Sequence, residues 1–144
     1  MLTGGCLCGA VRYSADLPDP PVTYACHCTD CQTQSGASFA LQLPVALDAL
    51  TISGEMISAS HVTPSGGTST HFYCAKCLVR IYNINTRRPG FGVLRAGTLD
   101  DSAGIIPRAH IYIKSKQPWV GLPEGAITFE TVPASDWFRI LAEL

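Results

Sequence analysis

Hydrophobic and polar residues alternate with a two-residue period along much of the chain, in short runs separated by glycine- and proline-rich breaks. Successive side chains of a strand point to opposite faces, so such runs predict half-buried β-strands. Ala10-Val11-Arg12-Tyr13-Ser14 is the first. Leu17-Pro18-Asp19-Pro20-Pro21 interrupts the pattern as a loop, and strand resumes over residues 22–26. Residues 38–43 predict a strand closed by Pro44, and residues 49–53 one that runs into a turn at Gly54-Glu55. Residues 56–62 and 68–73 flank Pro64-Ser65-Gly66-Gly67 and form a hairpin by their turn chemistry. Residues 80–84, 91–96 and 109–114 supply further strands. Helix is sparse. One turn over residues 29–34 is ended by Ser35-Gly36. A C-terminal helix capped by Ser135 places Trp137, Ile140, Leu141 and Leu144 on one face. Many short strands with little helix predict a mainly β fold.

Composition supports a packed core. The residues Ala, Val, Ile, Leu, Met, Phe, Trp, Tyr and Cys make up 47% of the 144, against 15% charged, which excludes extended disorder. The length fits one domain over residues 1–144. Net charge is −1, and the longest basic stretch is Arg87-Arg88, so nucleic acid is an unfavoured partner. Residues 1–10 lack the basic start and apolar run of a secretory leader, and no run approaches the length of a membrane span. The expected location is the cytoplasm. Nothing in the pattern specifies an oligomeric state.

Candidate chemistry resides in the seven cysteines. Each belongs to a Cys-x-Cys or Cys-x-x-Cys unit: Cys6 with Cys8, Cys26 with Cys28 and Cys31, and Cys74 with Cys77. In a reducing compartment this spacing indicates metal, with zinc as the expected ion, rather than disulfides. Cys6, Cys8, Cys74 and Cys77 joined in space would complete a closed site of four sulfurs. Cys26, Cys28 and Cys31 then form a trio whose fourth position is open, as in catalytic sites. Other partitions satisfy the same spacing. One pair can join the trio, or a single ion can leave three thiols spare.

Histidine is a weak candidate for the fourth position. His27 lies between two trio cysteines, so a strand turns it to the opposite face. His61, His71 and His110 are lone residues in apolar strands. A three-thiolate zinc carries one negative charge and can accept a substrate thiolate, which is the nucleophilic form of sulfur. Water activation is the competing use of such a position. Gln32, Ser35 and Ser38 follow the trio and can either contact a substrate or serve the local turns; the second role is the more common for such residues.

Three segments carry a family resemblance: Gly5-Cys6-Leu7-Cys8-Gly9-Ala10-Val11-Arg12-Tyr13, Cys26-His27-Cys28-Thr29-Asp30-Cys31-Gln32 and Tyr73-Cys74-Ala75-Lys76-Cys77. Together with Gly97-Thr98-Leu99-Asp100-Asp101, Pro107-Arg108-Ala109-His110-Ile111-Tyr112 and Ser115-Lys116-Gln117-Pro118-Trp119, they resemble the glutathione-dependent formaldehyde-activating enzyme family, which includes centromere protein V. The resemblance implies an Mss4-like (β-tent) zinc-binding fold and two zinc ions per chain. It assigns Cys6, Cys8, Cys74 and Cys77 to a structural zinc and Cys26, Cys28 and Cys31 to a catalytic one. The implied activity is that of a carbon–sulfur lyase, forming S-hydroxymethylglutathione from glutathione and formaldehyde. A non-catalytic zinc module that binds protein or nucleic acid is the alternative. One position departs from the family pattern: Leu78 stands where members commonly carry glycine, which leaves the turn of the second knuckle open.

Overall fold

Eleven strands and two helices form from these runs in the structure, a computed structural model that describes residues 1–133 and 136–143. Three strands make a small antiparallel sheet in the order β1 (Leu2–Gly5), β2 (Arg12–Ala15), β5 (Leu50–Ser53). The other eight make a larger sheet. Its order is β11 (Ile127–Thr128), β10 (Ala109–Ile111), β3 (Tyr24–Cys26), β4 (Ala40–Ala46), β9 (Phe91–Arg95), β8 (Arg80–Asn85), β7 (Thr68–Cys74), β6 (Met56–Val62). All its pairings are antiparallel except those of β10 with β3 and with β11, which are parallel. No described helix is long and apolar enough to cross a membrane.

Two-residue alternation gives the large sheet two unlike faces. Leu43, Val45, Ile81 and Leu94 point to one, where they are sealed against Val11, Tyr13 and Ala15 of the small sheet. Phe72 and Tyr82 stack beside them, ring centroids 4.6 Å apart. The neighbouring positions Gln42, Val93, Asn83 and His71 point to the other face and line a cavity. A second apolar cluster closes one end of that face. There Tyr24, Ile111 and the helix α2 (Trp137–Glu143) meet through buried Trp137 and Leu141. Ile140 is half-buried, while the expected cap Ser135 and the terminal Leu144 lie outside the described residues.

The segment over residues 97–101 is clasped onto the small sheet. Gly4 bridges to Leu99, and Arg12 and Thr3 both bond the carboxylate of Asp100, Arg12 through two contacts of 2.9 and 2.5 Å. Thr98 Oγ1 lies 2.9 Å from the Tyr13 hydroxyl. A side chain at Gly4 would collide with that hydroxyl and with the Thr98 carbonyl, so glycine is what lets the two segments approach.

Several expectations are revised. β1 was not marked by the pattern, because Gly4-Gly5 reads as a breaker; pairing with β2 forms it. The next strand starts at Arg12 rather than Ala10, because residues 6–11 form a loop around the first thiol pair. Pro44 does not close its strand. It sits inside β4 opposite Val93, beyond Gln42, where the pairing with β3 has ended. A proline nitrogen directed to that open edge costs no ladder bond. The strand expected over residues 109–114 stops at Ile111. Tyr112 takes a left-handed φ of 56°, and a 3-10 turn over Ile113–Ser115 follows.

Candidate functional site

The cysteines gather into two groups. Cys6, Cys8, Cys74 and Cys77 bring their sulfurs within 4.8 Å of one another, and so do Cys26, Cys28 and Cys31. The partition into four and three is therefore the one the fold makes, and either group can hold a metal ion. Among the described residues no histidine or carboxylate joins either group.

The group of four ties the N-terminal loop to the end of β7. Cys74 is fully buried on the core face, and Cys8 Sγ lies 3.8 Å from its sulfur and 3.6 Å from that of Cys6. Backbone N–H groups surround these sulfurs: Val11 donates to Cys6 Sγ at 3.2 Å, and Lys76 donates to Cys74 Sγ at 3.4 Å. Such donors stabilise thiolate, the form a metal requires. Leu78 settles the turn left open above. Its φ of 62° is the left-handed conformation glycine adopts easily, and its N–H bonds the Cys74 carbonyl at 3.0 Å. The knuckle thus keeps a glycine-like turn at some backbone cost.

The trio lies on the opposite face of the same sheet. Tyr24 and Cys26 alternate with Ala25, so both face the cavity. Cys28 then caps α1 (Thr29–Ser35), accepting the N–H of Cys31 at 3.3 Å, and Cys31 follows on the first turn. Gly36, at a φ of 65°, ends that helix as its position suggested. Hydrogen bonds from the Cys26 and Cys31 thiols, with the N–H groups of Cys31 and Asp30, hold Cys28 down to about 3. The same sharing with Cys28 and Cys31, with burial added, pushes Cys26 far above the usual thiol range. Gln42 Nε2 donates to Cys31 Sγ at 3.7 Å.

His27 turns away from the trio, as strand geometry requires. It is fully buried, with Nε2 3.0 Å from His110 Nδ1. Gln32 is a local brace. Its Nε2 donates to the carbonyls of His27 and Ser115 at 2.9 and 3.0 Å, and Gln117 donates to its Oε1 at 3.2 Å. Neither Gln32, Ser35 nor Ser38 lines the cavity. Ser35 instead bonds within the helix end, to the Gln32 carbonyl and the Ala37 N–H.

The cavity beside the trio has a volume of about 520 Å³ and spreads across the sheet to β6. Its floor holds Ser69 and Asn83, which sequence reasoning missed, and His71, which it weighed only as a metal ligand. Ser69, His71 and Asn83 are all buried. Asn83 Nδ2 and His71 Nε2 both contact Ser69 Oγ, at 3.2 and 2.9 Å. Arg80 Nη1 lies 3.1 Å from His71 Nδ1. A guanidinium only donates, so Nδ1 accepts and the imidazole proton sits on Nε2, pointing to Ser69. Burial, then the Arg80 charge, pushes His71 down to about 4, which keeps it neutral. Burial lowers Arg80 to about 10, leaving it charged at neutral pH.

Arg80 reaches this face through a β-bulge. Tyr82 pairs with Phe72, yet Arg80 rather than Ile81 pairs with Tyr73. The extra residue, Ile81, drops into the core, and Arg80 joins Asn83 and Asn85 on the cavity side. Strict alternation would have placed Arg80 with Tyr82, so the sequence carried no sign of it.

With two converging sulfur groups on opposite faces of one sheet, the comparisons with known proteins become specific. Residues 1–115, which include every cysteine, match the model of the family described as glutathione-dependent formaldehyde-activating enzyme. The chain belongs to that family. A Halomonas elongata relative that carries the family's name is 30% identical over 125 residues, covering 83% of this chain and 80% of its own. The crystal structure of a Rhodobacter sphaeroides protein superposes with a TM-score of 0.57 at 17% identity, over 89% of this chain and 99% of that one. The fold is mainly β and Mss4-like, as the resemblance implied. In this formaldehyde-activating family member the matched segment ends at Ser115. That residue's Oγ donates to the His27 carbonyl at 2.9 Å and so braces the trio's loop.

Proposed function

We propose that this chain is a zinc-dependent carbon–sulfur lyase that joins a small thiol to an aldehyde, with S-hydroxymethylglutathione formation from glutathione and formaldehyde as the leading case. The observation that carries this reading is the trio itself. Three sulfurs converge on the wall of a cavity of about 520 Å³, and no fourth protein donor joins them among the described residues. An all-sulfur donor set within 4.8 Å fits zinc at both groups. Cys6, Cys8, Cys74 and Cys77 would hold the structural ion, and Cys26, Cys28 and Cys31 the catalytic one.

When bound by the trio, zinc lowers the pKa of a substrate thiol and so supplies the thiolate at neutral pH. The chain's own residues do the rest. Cys26, fixed by β3, and Cys28 and Cys31, fixed by the start of α1, set where the substrate sulfur can sit. Gln42 bonds Cys31 and so orients that ligand. Tyr24, Val93, Ile111 and Trp137 wall the cavity and limit water. The substrate sulfur attacks the carbonyl carbon and the carbon–sulfur bond forms. The carbonyl π electrons pass to oxygen, which gains one proton, matching the one the thiol released. The reverse step breaks the same bond.

Exchange NMR on glutathione with formaldehyde tests the activity. The protein is expected to accelerate formation and breakdown of the adduct over the uncatalysed rate, and Cys31→Ser to abolish the acceleration. An unchanged rate with fully metal-loaded protein would remove the proposed reaction.

A further inference from the structure

The cavity beside the trio holds a positive charge, Arg80, that forms no ion pair with any described carboxylate. The ion pairs among the described residues are Arg12 with Asp100 and Arg139 with Asp136 and Glu143; none involves Arg80 or Arg88. Asp30, at the cavity's edge, is exposed. A cation drawn out of water without a counter-charge is costly, so its retention needs a partner.

Unpaired polar atoms point the same way. Six buried side-chain nitrogen or oxygen atoms lack a hydrogen-bond partner among the described residues, and four of them belong to residues that line this one cavity. They are Arg80 Nε, Arg88 Nε, Trp137 Nε1 and Gln42 Oε1. Three are donors suited to carboxylate or carbonyl oxygen, and the fourth is an acceptor suited to an amide N–H. Buried polar groups are nearly always satisfied, so a cluster of exceptions in one cavity marks the place of a polar ligand.

The orientation of Arg80 narrows the ligand class. Its Nη1 is held by Gln34 Oε1 at 2.7 Å and by His71 Nδ1 at 3.1 Å. The Nε–Nη2 edge makes no hydrogen bond to a described residue. That edge presents two parallel N–H donors, the fork that matches a carboxylate. The bulge at Ile81 aims the guanidinium here, and the Ser69–His71 pair behind it fixes its plane.

We propose that Arg80 is the specificity-determining residue of this site, binding a carboxylate of the thiol substrate through its Nε–Nη2 edge, so that the cavity selects carboxylate-bearing thiols over neutral ones. The inference rests on the thiol–aldehyde reading only in seating the substrate sulfur at Cys26, Cys28 and Cys31. A cation at this place could otherwise serve to balance the negative charge of the thiolates. That role would act on every thiol alike.

Calorimetric titration of the zinc-loaded protein separates the two, using glutathione against its dimethyl ester and mercaptoacetate against its methyl ester. Each acid is expected to bind roughly 10- to 100-fold tighter than its ester, the range for a charge-assisted bidentate contact. Arg80→Met should erase that preference by weakening the acids alone and leave the esters within about threefold. Arg80→Lys, which keeps the charge without the fork, should restore part of it. No acid preference in either pair, or a parallel loss for acid and ester in Arg80→Met, overturns the proposal. Binding is read without turnover, so a protein that shows the preference but does not accelerate adduct exchange would refute the reaction and leave the carboxylate site standing.

Discussion

Removing one ligand from each sulfur group should have unequal consequences for folding. Cys74→Ser opens the group that joins residues far apart in sequence: Cys8 and Cys74 are 66 positions apart and their sulfurs 3.8 Å apart. Treated as a cross-link closing a loop of that length, the ion restricts the unfolded chain by about 4 kcal/mol. Cys31→Ser opens a group confined to one strand–helix junction. A loop of only a few residues corresponds to about 2 kcal/mol in the same treatment, and β3 and α1 already hold those sulfurs in place. Cys74 is also fully buried at the core face, so a serine hydroxyl there lacks solvent. A whole domain is stable by about 5–15 kcal/mol, so the first loss approaches the total and the second does not. Urea denaturation of both zinc-loaded variants, with metal content measured on the same samples, reads the difference directly. Cys74→Ser is expected to unfold at a much lower midpoint or fail to fold, and Cys31→Ser to keep a cooperative transition near that of the parent. Equal losses, or a larger loss in Cys31→Ser, would refute the division into structural and catalytic groups.

Other outcomes follow from particular contacts. Leu78→Gly should raise stability by about 0.5–1 kcal/mol, because it relieves a left-handed leucine at a side chain that is 61% exposed; a lowered thermal midpoint would contradict that. His71 is held below its ordinary value, down to about 4, so the unfolded chain binds its proton first. The stability from keeping it neutral is complete above about pH 6.5 and is lost as pH falls toward 4. The stability advantage of the parent over His71→Gln should therefore shrink between pH 7 and pH 4, as urea midpoints at the two pH values would show; an advantage that grows on acidification would contradict the assignment.

The two cysteine groups were legible in the sequence because their members come in short local units. Cys-x-Cys on a strand and Cys-x-x-Cys at a turn keep their geometry wherever the chain carries them. The strands from β6 to β9 were legible for a similar reason, since each has its own alternation and the hairpin turn around Gly66 is local. What failed depended on neighbours. Pro44 is tolerated inside β4 because β3 is too short to pair beside it, which no local signal reveals. Likewise β1 exists through its pairing with β2, in spite of its two glycines. Arg80 was hidden by a single extra residue in β8 that reverses the faces beyond it. The cavity was least legible of all. Cys31, Gln42, His71 and Arg80 come from four elements, and only the order of the large sheet brings them together.

The central claim is that Cys26, Cys28 and Cys31 hold a second metal ion beside a substrate cavity. Metal quantification of the purified protein and of Cys28→Ser tests it most directly. Two zinc ions per chain in the parent and one in the variant are predicted. One tightly held ion in both would contradict the account.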